Sequence, residues 1–492
     1  MNQSDYDALV AEGYSRIPIT RTLLADTETP LSTFSKLCKA PYAFLFESVE
    51  GGEKWSRYSI VGLPATQRIA ISGKTVSRYQ GGELVESHES TDPLAEIEAL
   101  HQSASSAPLP SLPVFHGGWV GYFAYDTVRY VEPKLSVDVN PDDLGTPDIL
   151  LVLAEEVVVF DNLRGTLTLI VNAEASVPNA FDMAIERLGA LEKALAQPAA
   201  DLGSFELGST DTSDIESRLT YGTDKATFES WVARIKDYIL DGDVMQVVVS
   251  QRMTLPFSAS PLNLYRALRH LNPSPYLFYL DLDSFHVVGS SPEILVRSEQ
   301  GKITVRPIAG TIRRGADEVE DKELATRLLN DEKERAEHLM LIDLGRNDIG
   351  RVSQPGSVTL TDKMVVEKYS HVMHIVSNVT GDAREDVTAI DSLRATLPAG
   401  TLSGAPKIRA MEIIDELEPV KRGIYGGAVG YLSWSGDMDT AIAIRTAVIK
   451  DNQLIVQAGA GVVADSVPEA EWEETLNKAR AVLRAAAMVE AC

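Results

Sequence analysis

The stretch GGAVGYLSWSGDMDTAIAIRTAVIKDNQLIVQAGAGVVA, residues 426–464, is the part of this chain from which a fold can best be argued. It reads as three strands, GGAVGYLSW, DTAIAIRTAVI and NQLIVQAGAGVVA, separated by short segments rich in turn residues. Counting outward from these turns predicts an antiparallel meander in which Arg445 lies opposite Ala428 on one side and Ala458 on the other. The sequence therefore predicts sheet structure around a strand that carries a single arginine.

Arg445 has small neighbours in this predicted meander. Its own strand places only alanines on the same face, and the predicted register makes Tyr425 and Gly459 its neighbours. Glycines such as Gly459 and Gly461 weaken a strand unless another group approaches the backbone closely. The pattern favours a guanidinium with room for a ligand beside it, and an arginine paired with a carboxylate of the protein is the alternative.

Two acidic helices are predicted outside the meander, DEKERAEHLMLID at residues 331–343 and PEAEWEETLNKARAVLRA at residues 468–485. Each carries two glutamates three residues apart, Glu334 and Glu337 in the first and Glu471 and Glu474 in the second. Residues at i and i+3 share a helix face, so each pair directs two carboxylates the same way. Facing clusters would repel unless a divalent cation lay between them, which indicates a Mg²⁺-assisted enzyme. Solvated surface faces are the alternative interpretation.

Composition restricts the function classes. Hydrophobic residues make up 44% of the chain and charged residues 24%, which is typical of a globular protein. Two cysteines, Cys38 and Cys492, exclude a disulfide framework. The net charge of −26 argues against binding to nucleic acid or to an anionic membrane. The polar N-terminus and the lack of an apolar run of about 18 residues predict a soluble cytoplasmic protein.

The chain divides at a segment rich in Gly, Ser, Pro and Asp. We predict a linker at residues 196–215, a β-rich region at residues 1–195, and a region of alternating helices and strands at residues 216–492. Periodicity alone indicates only mixed α and β structure.

Ten motifs in order resemble one family, the chorismate-utilising enzymes, and within it the large subunit, component I, of anthranilate synthases. They lie within residues 244–480 and read QVVVSQR, SSPEILV, RPIAGT, EHLMLIDLGRNDIGR, SHVMHI, PAGTLSGAPK, YGGAVGY, AIRTA, AGAGVVADSVPEAEWEE and NKA. FLFESVEGGEKWSRYS, residues 44–59, is similar to the family's regulatory region. The resemblance implies an α+β fold with antiparallel sheets packed face to face and helices outside, in which residues 1–195 are regulatory and residues 216–492 catalytic.

The resemblance also implies a reaction, chorismate plus ammonia to anthranilate plus pyruvate with Mg²⁺. It assigns the metal to Glu337 and Glu474, with Glu334 and Glu471 supporting through water or hydrogen bonds, and the metal holds the ring carboxylate of chorismate. The enolpyruvyl carboxylate is then bound by a set of side chains and backbone N–H groups at Tyr425, Arg445, Gly310, Thr311, Thr401, Gly459, Ala460 and Gly461. Lys478 would add positive charge.

Catalytic roles follow from the same resemblance. Glu293 matches the general acid, which requires a raised pKa and a sheltered position. His374 matches a histidine associated with the loss of pyruvate, either as a base or as a positioning residue, and we count Glu334 with these two as catalytic. Water-adding relatives have a lysine where this chain has Gln246, and aminodeoxychorismate synthases have one where it has Ala309. Both differences indicate direct amination by ammonia.

Partners and a regulator are implied as well. Neither cysteine has the glycine-rich setting of a glutaminase nucleophile, which predicts a separate glutamine amidotransferase subunit, component II. Ser48, with Pro275, Tyr276 and Leu277, resembles the segments that bind tryptophan as feedback inhibitor, although Phe46 departs from the usual LLES pattern. The alternatives are an aminodeoxychorismate synthase component I, an enzyme that stops at the aminated intermediate, and a non-catalytic tryptophan-sensing protein.

Overall fold

A computed structural model describes residues 1–48, 57–109, 112–137, 139–205, 213–369 and 372–490. Cys492 and residues 206–212 of the predicted linker lie outside these ranges. The helices are α1 Gln3–Ala11, α2 Pro30–Leu37, α3 Pro93–Gln102, α4 Ala180–Leu195, α5 Ser213–Ser217, α6 Lys225–Leu240, α7 Pro261–Leu271, α8 Glu318–Asn330, α9 Glu332–Gly350, α10 Ala389–Thr396, α11 Lys407–Leu417 and α12 Pro468–Glu490. Short 3₁₀ helices occupy Tyr125–Tyr130, Pro133–Ser136 and Gly400–Leu402.

The strands are β1 Arg16–Leu24, β2 Ala43–Glu47, β3 Tyr58–Gly62, β4 Gln67–Ser72, β5 Thr75–Gln80, β6 Glu83–Glu89, β7 Gly118–Phe123, β8 Ile149–Ala154, β9 Glu156–Asp161, β10 Thr166–Glu174, β11 Thr220–Tyr221, β12 Gln246–Pro256, β13 Tyr276–Asp281, β14 Phe285–Ser291, β15 Ile294–Glu299, β16 Lys302–Val305, β17 Ile308–Arg313, β18 Thr359–Lys368, β19 Val372–Asp382, β20 Gly404–Ala405, β21 Ala428–Ser433, β22 Met438–Ile442, β23 Thr446–Lys450 and β24 Gln453–Val462.

These strands form two antiparallel sheets. Sheet 1 has the order β1-β10-β9-β3-β2-β13-β14-β23-β24-β12-β11, with β20 paired to β12. Sheet 2 has the order β17-β19-β16-β15-β22-β21-β7-β8-β4-β5-β6, with β18 paired to β19. Representative ladders, such as β12 with β24 and β15 with β22, run antiparallel.

The two sheets pack face to face. One apolar cluster joins Phe44 and Val159 of sheet 1 to Val120 and Leu150 of sheet 2, and all four side chains are buried. The outer face of sheet 1 packs against α2, α4, α7 and α12, and the outer face of sheet 2 packs against α3, α9 and α10. The predicted α+β fold, with antiparallel sheets face to face and helices outside, is confirmed. No helix in the described part of the chain is long and apolar enough to span a bilayer.

Both sheets draw strands from either side of the predicted linker. In sheet 1, β2 pairs with β13 through Glu47 and Leu277, and in sheet 2, β7 pairs with β21. Residues 1–195 and residues 216–492 therefore share both sheets and one core. Their division into a regulatory and a catalytic region stays a prediction.

The predicted meander is wrong at its central strand. DTAIAIRTAVI forms two strands, β22 in sheet 2 and β23 in sheet 1, because the chain leaves one sheet and enters the other at residues 443–445. Arg445 has a φ of +49°, a left-handed conformation that breaks the strand alternation. Ala428 consequently pairs with Ile442 rather than with Arg445, and the ladder of β23 with β24 starts at Ala447, so it does not include Ala458.

Both predicted acidic helices are present as α9 and α12. The carboxylate of Asp331 accepts hydrogen bonds from the N–H groups of Lys333 and Glu334, at 3.0 and 3.1 Å, and so caps α9 at its first turn. This cap places Glu334 and Glu337 one turn apart at the start of the helix. In α12, Trp472 and Ala479 are buried against neighbouring strands and helices, so the opposite side carries Glu474 and Lys478.

Candidate active site

The site lies where the chain crosses twice between the sheets. Residues 292–293 link β14 in sheet 1 to β15 in sheet 2, and residues 443–445 link β22 back to β23. Since β14 pairs with β23 and β15 with β22, the crossings run side by side. The N–H of Ile442 donates to the carbonyl of Glu293 at 3.0 Å, and the N–H of Ser290 donates to the carbonyl of Arg445 at 3.2 Å. This arrangement brings Glu293 and Arg445 together.

Glu293 has the properties of a general acid. Its side chain is buried, and burial raises its pKa to about 8, against the opposing effects of a hydrogen bond from Thr401, the N–H of Ile308, and the charges of Lys478 and Arg445. Thr401 Oγ1 donates to Glu293 Oε1 at 3.2 Å. At neutral pH the carboxyl is therefore mostly protonated and has a proton to give.

His374 is neutral and oriented. Its Nδ1 lies 3.1 Å from the carbonyl oxygen of Gly310 and 3.0 Å from Thr311 Oγ1. Because a carbonyl only accepts, this hydrogen-bond pattern assigns the proton to Nδ1 and leaves the lone pair on Nε2. Burial, and next the charge of Arg445, lower the pKa of His374 to about 4, while the Gly310 carbonyl opposes them. The ring is able to accept a proton at Nε2.

Arg445 carries a desolvated charge. Burial lowers its pKa, which Tyr369 and Glu293 partly restore. Its guanidinium forms no ion pair with any described residue, whereas the buried arginines Arg252, Arg306 and Arg422 each have a carboxylate partner. A buried charge without a partner is costly unless a ligand supplies one. The alternative interpretation, an arginine paired within the protein, is not supported by the described residues, and the site favours an anionic ligand.

Tyr425 and Gly459 lie together, as predicted. The Tyr425 hydroxyl lies beside the backbone of Gly459, and a Cβ atom at position 459 would lie 2.9 Å from that oxygen. Gly461 is constrained in the same way, because its Cβ would lie 2.7 Å from Gln246 Nε2. Ala460, between them, is buried. This confirms the close approach that the strand glycines indicated, although the groups that approach are side chains of the protein.

Acidic residues of α9 and α12 lie within electrostatic reach of each other. Burial raises the pKa of Glu334, and the charges of Glu337 and Glu474 raise it further. Glu334 Oε2 lies 3.1 Å from the Cβ position of Gly310, which places this carboxylate beside the part of β17 whose Gly310 carbonyl contacts His374. Burial also raises the pKa of Glu471, against a hydrogen bond from Ser466. The charges of the two predicted clusters therefore act on one another, and a shared metal site stays a prediction.

These carboxylates fit a Mg²⁺ ion of the kind that keeps several waters. Among the described residues no group of three or more acidic, histidine or cysteine side chains comes together as a complete protein site. Mg²⁺ usually takes one or two carboxylates and completes its shell with water and substrate oxygens. Glu337 accepts a hydrogen bond from Gln246 Nε2 at 3.2 Å, and Glu474 pairs with Lys478 at 2.7 Å. Both contacts are made by the Oε1 atom of the carboxylate, and binding of a metal by one carboxylate from each helix stays a prediction.

Lys478 belongs to the site more firmly than the sequence indicated. Besides Glu474, its Nζ donates to the carbonyl of Gly459 at 2.9 Å, and its charge reaches Glu293. It joins the acidic cluster to the strand glycines.

A second cavity, of about 450 Å³, lies between the sheets away from these carboxylates. It is lined by all four residues predicted to bind an inhibitor, Ser48, Pro275, Tyr276 and Leu277. The Ser48 hydroxyl is buried without a hydrogen-bond partner among the described residues. The structure thus brings together two segments that are more than two hundred residues apart in the chain.

Sequence reasoning missed the charged residues of this second cavity. Tyr276 donates to Asp439 Oδ1 at 2.8 Å, and Arg297 donates to Tyr276 at 2.8 Å and to Asp439 Oδ2 at 3.0 Å. Arg297 and Asp439 look like ordinary strand residues in the sequence. Only the pairing of β15 with β22, which sets Arg297 opposite Asp439, reveals them.

Comparison with known proteins agrees with this geometry. Residues 43–484 match the family described as chorismate binding enzyme. The chain is 57% identical to anthranilate synthase component 1 of Pseudomonas putida and 56% identical to that of Pseudomonas aeruginosa, covering 100% of this chain and 99% of either relative. A crystal structure of anthranilate synthase component I from Streptococcus pneumoniae superimposes with a TM-score of 0.77 at 39% identity, covering 88% of this chain and 95% of that one.

The chain therefore belongs to the family of chorismate binding enzymes. The resemblance to component I of anthranilate synthases is confirmed, and with it the prediction of an enzyme of that type.

Proposed function

We propose that this protein is the chorismate-binding subunit of an anthranilate synthase in the cytoplasm. It converts chorismate and ammonia to anthranilate and pyruvate with Mg²⁺, the first committed step of tryptophan biosynthesis. One observation carries the proposal: Glu293 and Arg445 lie close together at the double crossing between the sheets. Glu293 is an acid with a raised pKa, and the Arg445 guanidinium has no ion-pair partner among the described residues. The names of the relatives support the same activity.

Two charged regions of the site bind the two carboxylates of chorismate. Arg445 and Tyr425 bind the enolpyruvyl carboxylate, and N–H groups near Gly310 and Gly459 complete that side of the pocket. Glu337 and Glu474 would hold Mg²⁺, which when bound supplies positive charge for the ring carboxylate. Lys478 adds a cation between the two regions.

The chemistry needs two proton transfers in which protein side chains take part. Ammonia forms a bond to the ring carbon next to the one that bears the carboxylate, the two ring double bonds shift, the allylic C–O bond to the hydroxyl breaks, and Glu293 gives its proton so that water departs. The ammonium group formed on the ring then loses one proton to solvent and becomes the amine. In the second step His374 Nε2 takes the hydrogen from the aminated ring carbon. The enolpyruvyl C–O bond breaks as the ring becomes aromatic, and the enol form becomes pyruvate on protonation. Neutral His374 and protonated Glu293 suit these opposite roles.

Ammonia is favoured as the nucleophile because the site lacks a lysine at two positions. Gln246 is buried beside Glu337, and its amide is not a base that could activate water. Ala309 offers no amine for covalent attachment to the ring. Ammonia needs neither group, since its own lone pair attacks.

The ammonia comes from a separate subunit. Cys38 is the single cysteine within the described ranges, and burial raises the pKa of its thiol, which disfavours a thiolate nucleophile. We therefore propose that a glutamine amidotransferase, component II, supplies ammonia to this chain. The word "component" in the relatives' names supports a partner.

The activity test follows the fluorescence of anthranilate. Chorismate, Mg²⁺ and ammonium should give a rising signal with the isolated chain, chelation of Mg²⁺ with EDTA should abolish it, and glutamine alone should give none. Absence of signal with ammonium would contradict the proposed function and favour the aminodeoxychorismate route or a tryptophan sensor. Turnover with glutamine as sole nitrogen source would contradict the need for a partner.

Tryptophan is the proposed inhibitor of this enzyme. A cavity of about 450 Å³ lies in the usual range for small-molecule sites. It combines an apolar wall with the Ser48 hydroxyl, which has no partner in the described part of the chain, and a charged group, Arg297 with Asp439. Tyr276 is ladder-paired with Ser291, which precedes Glu293 by two residues. Occupancy of the cavity can therefore reach the general acid through adjacent strands, provided that the ligand binds one arrangement better than the other.

Replacing Ser48 with phenylalanine tests this regulatory site. The larger side chain takes up part of the cavity and removes the hydroxyl, so the tryptophan concentration for half inhibition should rise by about tenfold or more, equivalent to about 1.4 kcal/mol of lost binding. Steady-state rates with and without tryptophan measure it. The exposed Ser87→Phe on β6 is the matched control and should leave inhibition unchanged. Unaltered inhibition of Ser48→Phe would contradict the assignment.

A further inference from the structure

A buried ion pair lies directly behind the active site. Arg422 and Glu418 have side-chain exposures of 1% and 4% and lie 2.6 Å apart. Arg422 Nε and Nη2 both donate to the Glu418 carboxylate, at 2.9 and 2.6 Å. Neither residue touches the acidic cluster or belongs to the motifs from which the site was predicted.

The other two hydrogen bonds of Arg422 go to backbone carbonyls next to or near site residues. Nη1 donates to the carbonyl of Leu402 at 2.6 Å. Leu402 directly follows Thr401, whose hydroxyl donates to Glu293. Nη2 donates to the carbonyl of Val248 at 2.6 Å, on the strand that presents Gln246. The guanidinium thus connects the turn at residues 400–402 to β12.

Glu418 and the face of the guanidinium extend these connections. Glu418 Oε1 accepts from the N–H and the hydroxyl of Ser250, at 2.7 and 2.8 Å, which gives β12 a second attachment. The guanidinium carbon lies 5.7 Å from the centre of the Tyr425 ring and 4.7 Å from that of Tyr125. Three elements that line the substrate pocket therefore meet at one cation.

Stability alone does not account for such a pair. Removing two charges from water costs several kcal/mol per ion, and apolar replacements of buried pairs are often neutral or stabilising. The planar guanidinium instead offers five donors in a fixed fork, and here four hydrogen bonds from it reach three separate segments.

We propose that Arg422, held by Glu418, is a positioning residue that sets the Thr401 turn against Glu293 and the Tyr425 ring against Gly459. The inference rests on the proposed function, since it assigns a role within that reaction. Arg422 acts through backbone and ring contacts and does not touch substrate. A shift of about 1 Å in such groups is enough to lower the rate by about 100-fold.

Arg422→Lys tests the proposal, because lysine keeps the charge beside Glu418 but lacks the fork that reaches both carbonyls. We expect kcat/KM for chorismate with ammonium to fall by about tenfold or more. We also expect the basic limb of its pH profile to move to higher pH. The general acid acts when protonated, so activity falls as pH rises through its pKa, and loss of the Thr401 hydrogen bond raises that pKa. Arg445 and Lys478, the other charges that reach Glu293, are retained.

Controls separate positioning from stability. Thr401→Val removes the hydrogen bond directly and should move the basic limb in the same direction. Arg16→Lys alters another largely buried arginine, with carboxylate partners at 3.0 and 2.8 Å, far from the site, and should leave the limb in place even if it lowers the melting temperature. The position of a pH limb does not depend on the fraction of folded enzyme.

The outcomes are distinct. An active wild type with an Arg422→Lys variant that keeps both kcat/KM and the basic limb would overturn the positioning role while leaving the proposed function intact. A wild type that makes no anthranilate would overturn the proposed function and this inference with it. If Arg422→Lys does not fold, Glu418→Gln carries the same test, because it weakens the hold on Arg422 while keeping an acceptor for Ser250.

Discussion

Glu293→Gln is expected to lower kcat by about 100- to 10,000-fold, the range that general acid catalysis contributes. Glutamine has nearly the shape of glutamic acid and can still accept the hydrogen bond from Thr401, but it has no acidic proton for the departing hydroxyl. Burial raises the pKa of Glu293 to about 8, so the wild-type kcat/KM should fall above that pH. The residual kcat/KM of the variant should not show this decrease, because glutamine does not titrate.

Initial rates of anthranilate formation, followed by its fluorescence across pH 6 to about 10, measure both effects. Glu155→Gln is a matched control, since burial also raises the pKa of that glutamate and it lies far from the site, beside Arg16. The control should keep the wild-type rate and limb. A Glu293→Gln enzyme with wild-type kcat would show that the proton comes from elsewhere.

Arg445→Gln should have the second largest effect, on kcat/KM for chorismate. Truncating one partner of a buried, hydrogen-bonded charge pair costs about 2 to 5 kcal/mol, which corresponds to a decrease of about 30-fold or more. The stability of the free enzyme should respond differently to this substitution. Because Arg445 has no ion pair among the described residues, removing its desolvated charge should leave the melting temperature unchanged or raise it.

The combination of lost affinity and kept stability distinguishes a ligand-binding arginine from a structural one. Arg187→Gln, which breaks an ion pair with Glu156 at 2.8 Å on the outer side of sheet 1, is the control and should leave kcat/KM unchanged. A marked drop in melting temperature for Arg445→Gln with unchanged chorismate binding would contradict the assignment.

Much of the site was predictable because side-chain chemistry and local spacing are properties of the sequence. The i, i+3 glutamates of α9 and α12 share helix faces wherever those helices lie. The close approach at Gly459 and Gly461 follows from the cost of glycine in a strand. A general acid must be sheltered and have a raised pKa, and Glu293 has both properties in the structure. Its role as the acid stays a prediction.

Other features depended on contacts between distant segments. Alternation with period two tells which face of a strand is buried, but it is the same whichever sheet the strand joins, so DTAIAIRTAVI was predicted as one strand. The ion pair of Arg422 with Glu418 and the group of Tyr276, Arg297 and Asp439 appear only once the strands are paired.

The sequence by itself determined the helices, the chemical groups of the site and the family resemblance, because these depend on residue type and short-range spacing. The tertiary structure decided where Arg445 lies, how far the pKa of Glu293 is raised, and that Ser48 and Tyr276 share one cavity. Each of these depends on burial by residues far away in the chain, and desolvation is set by the packed fold as a whole.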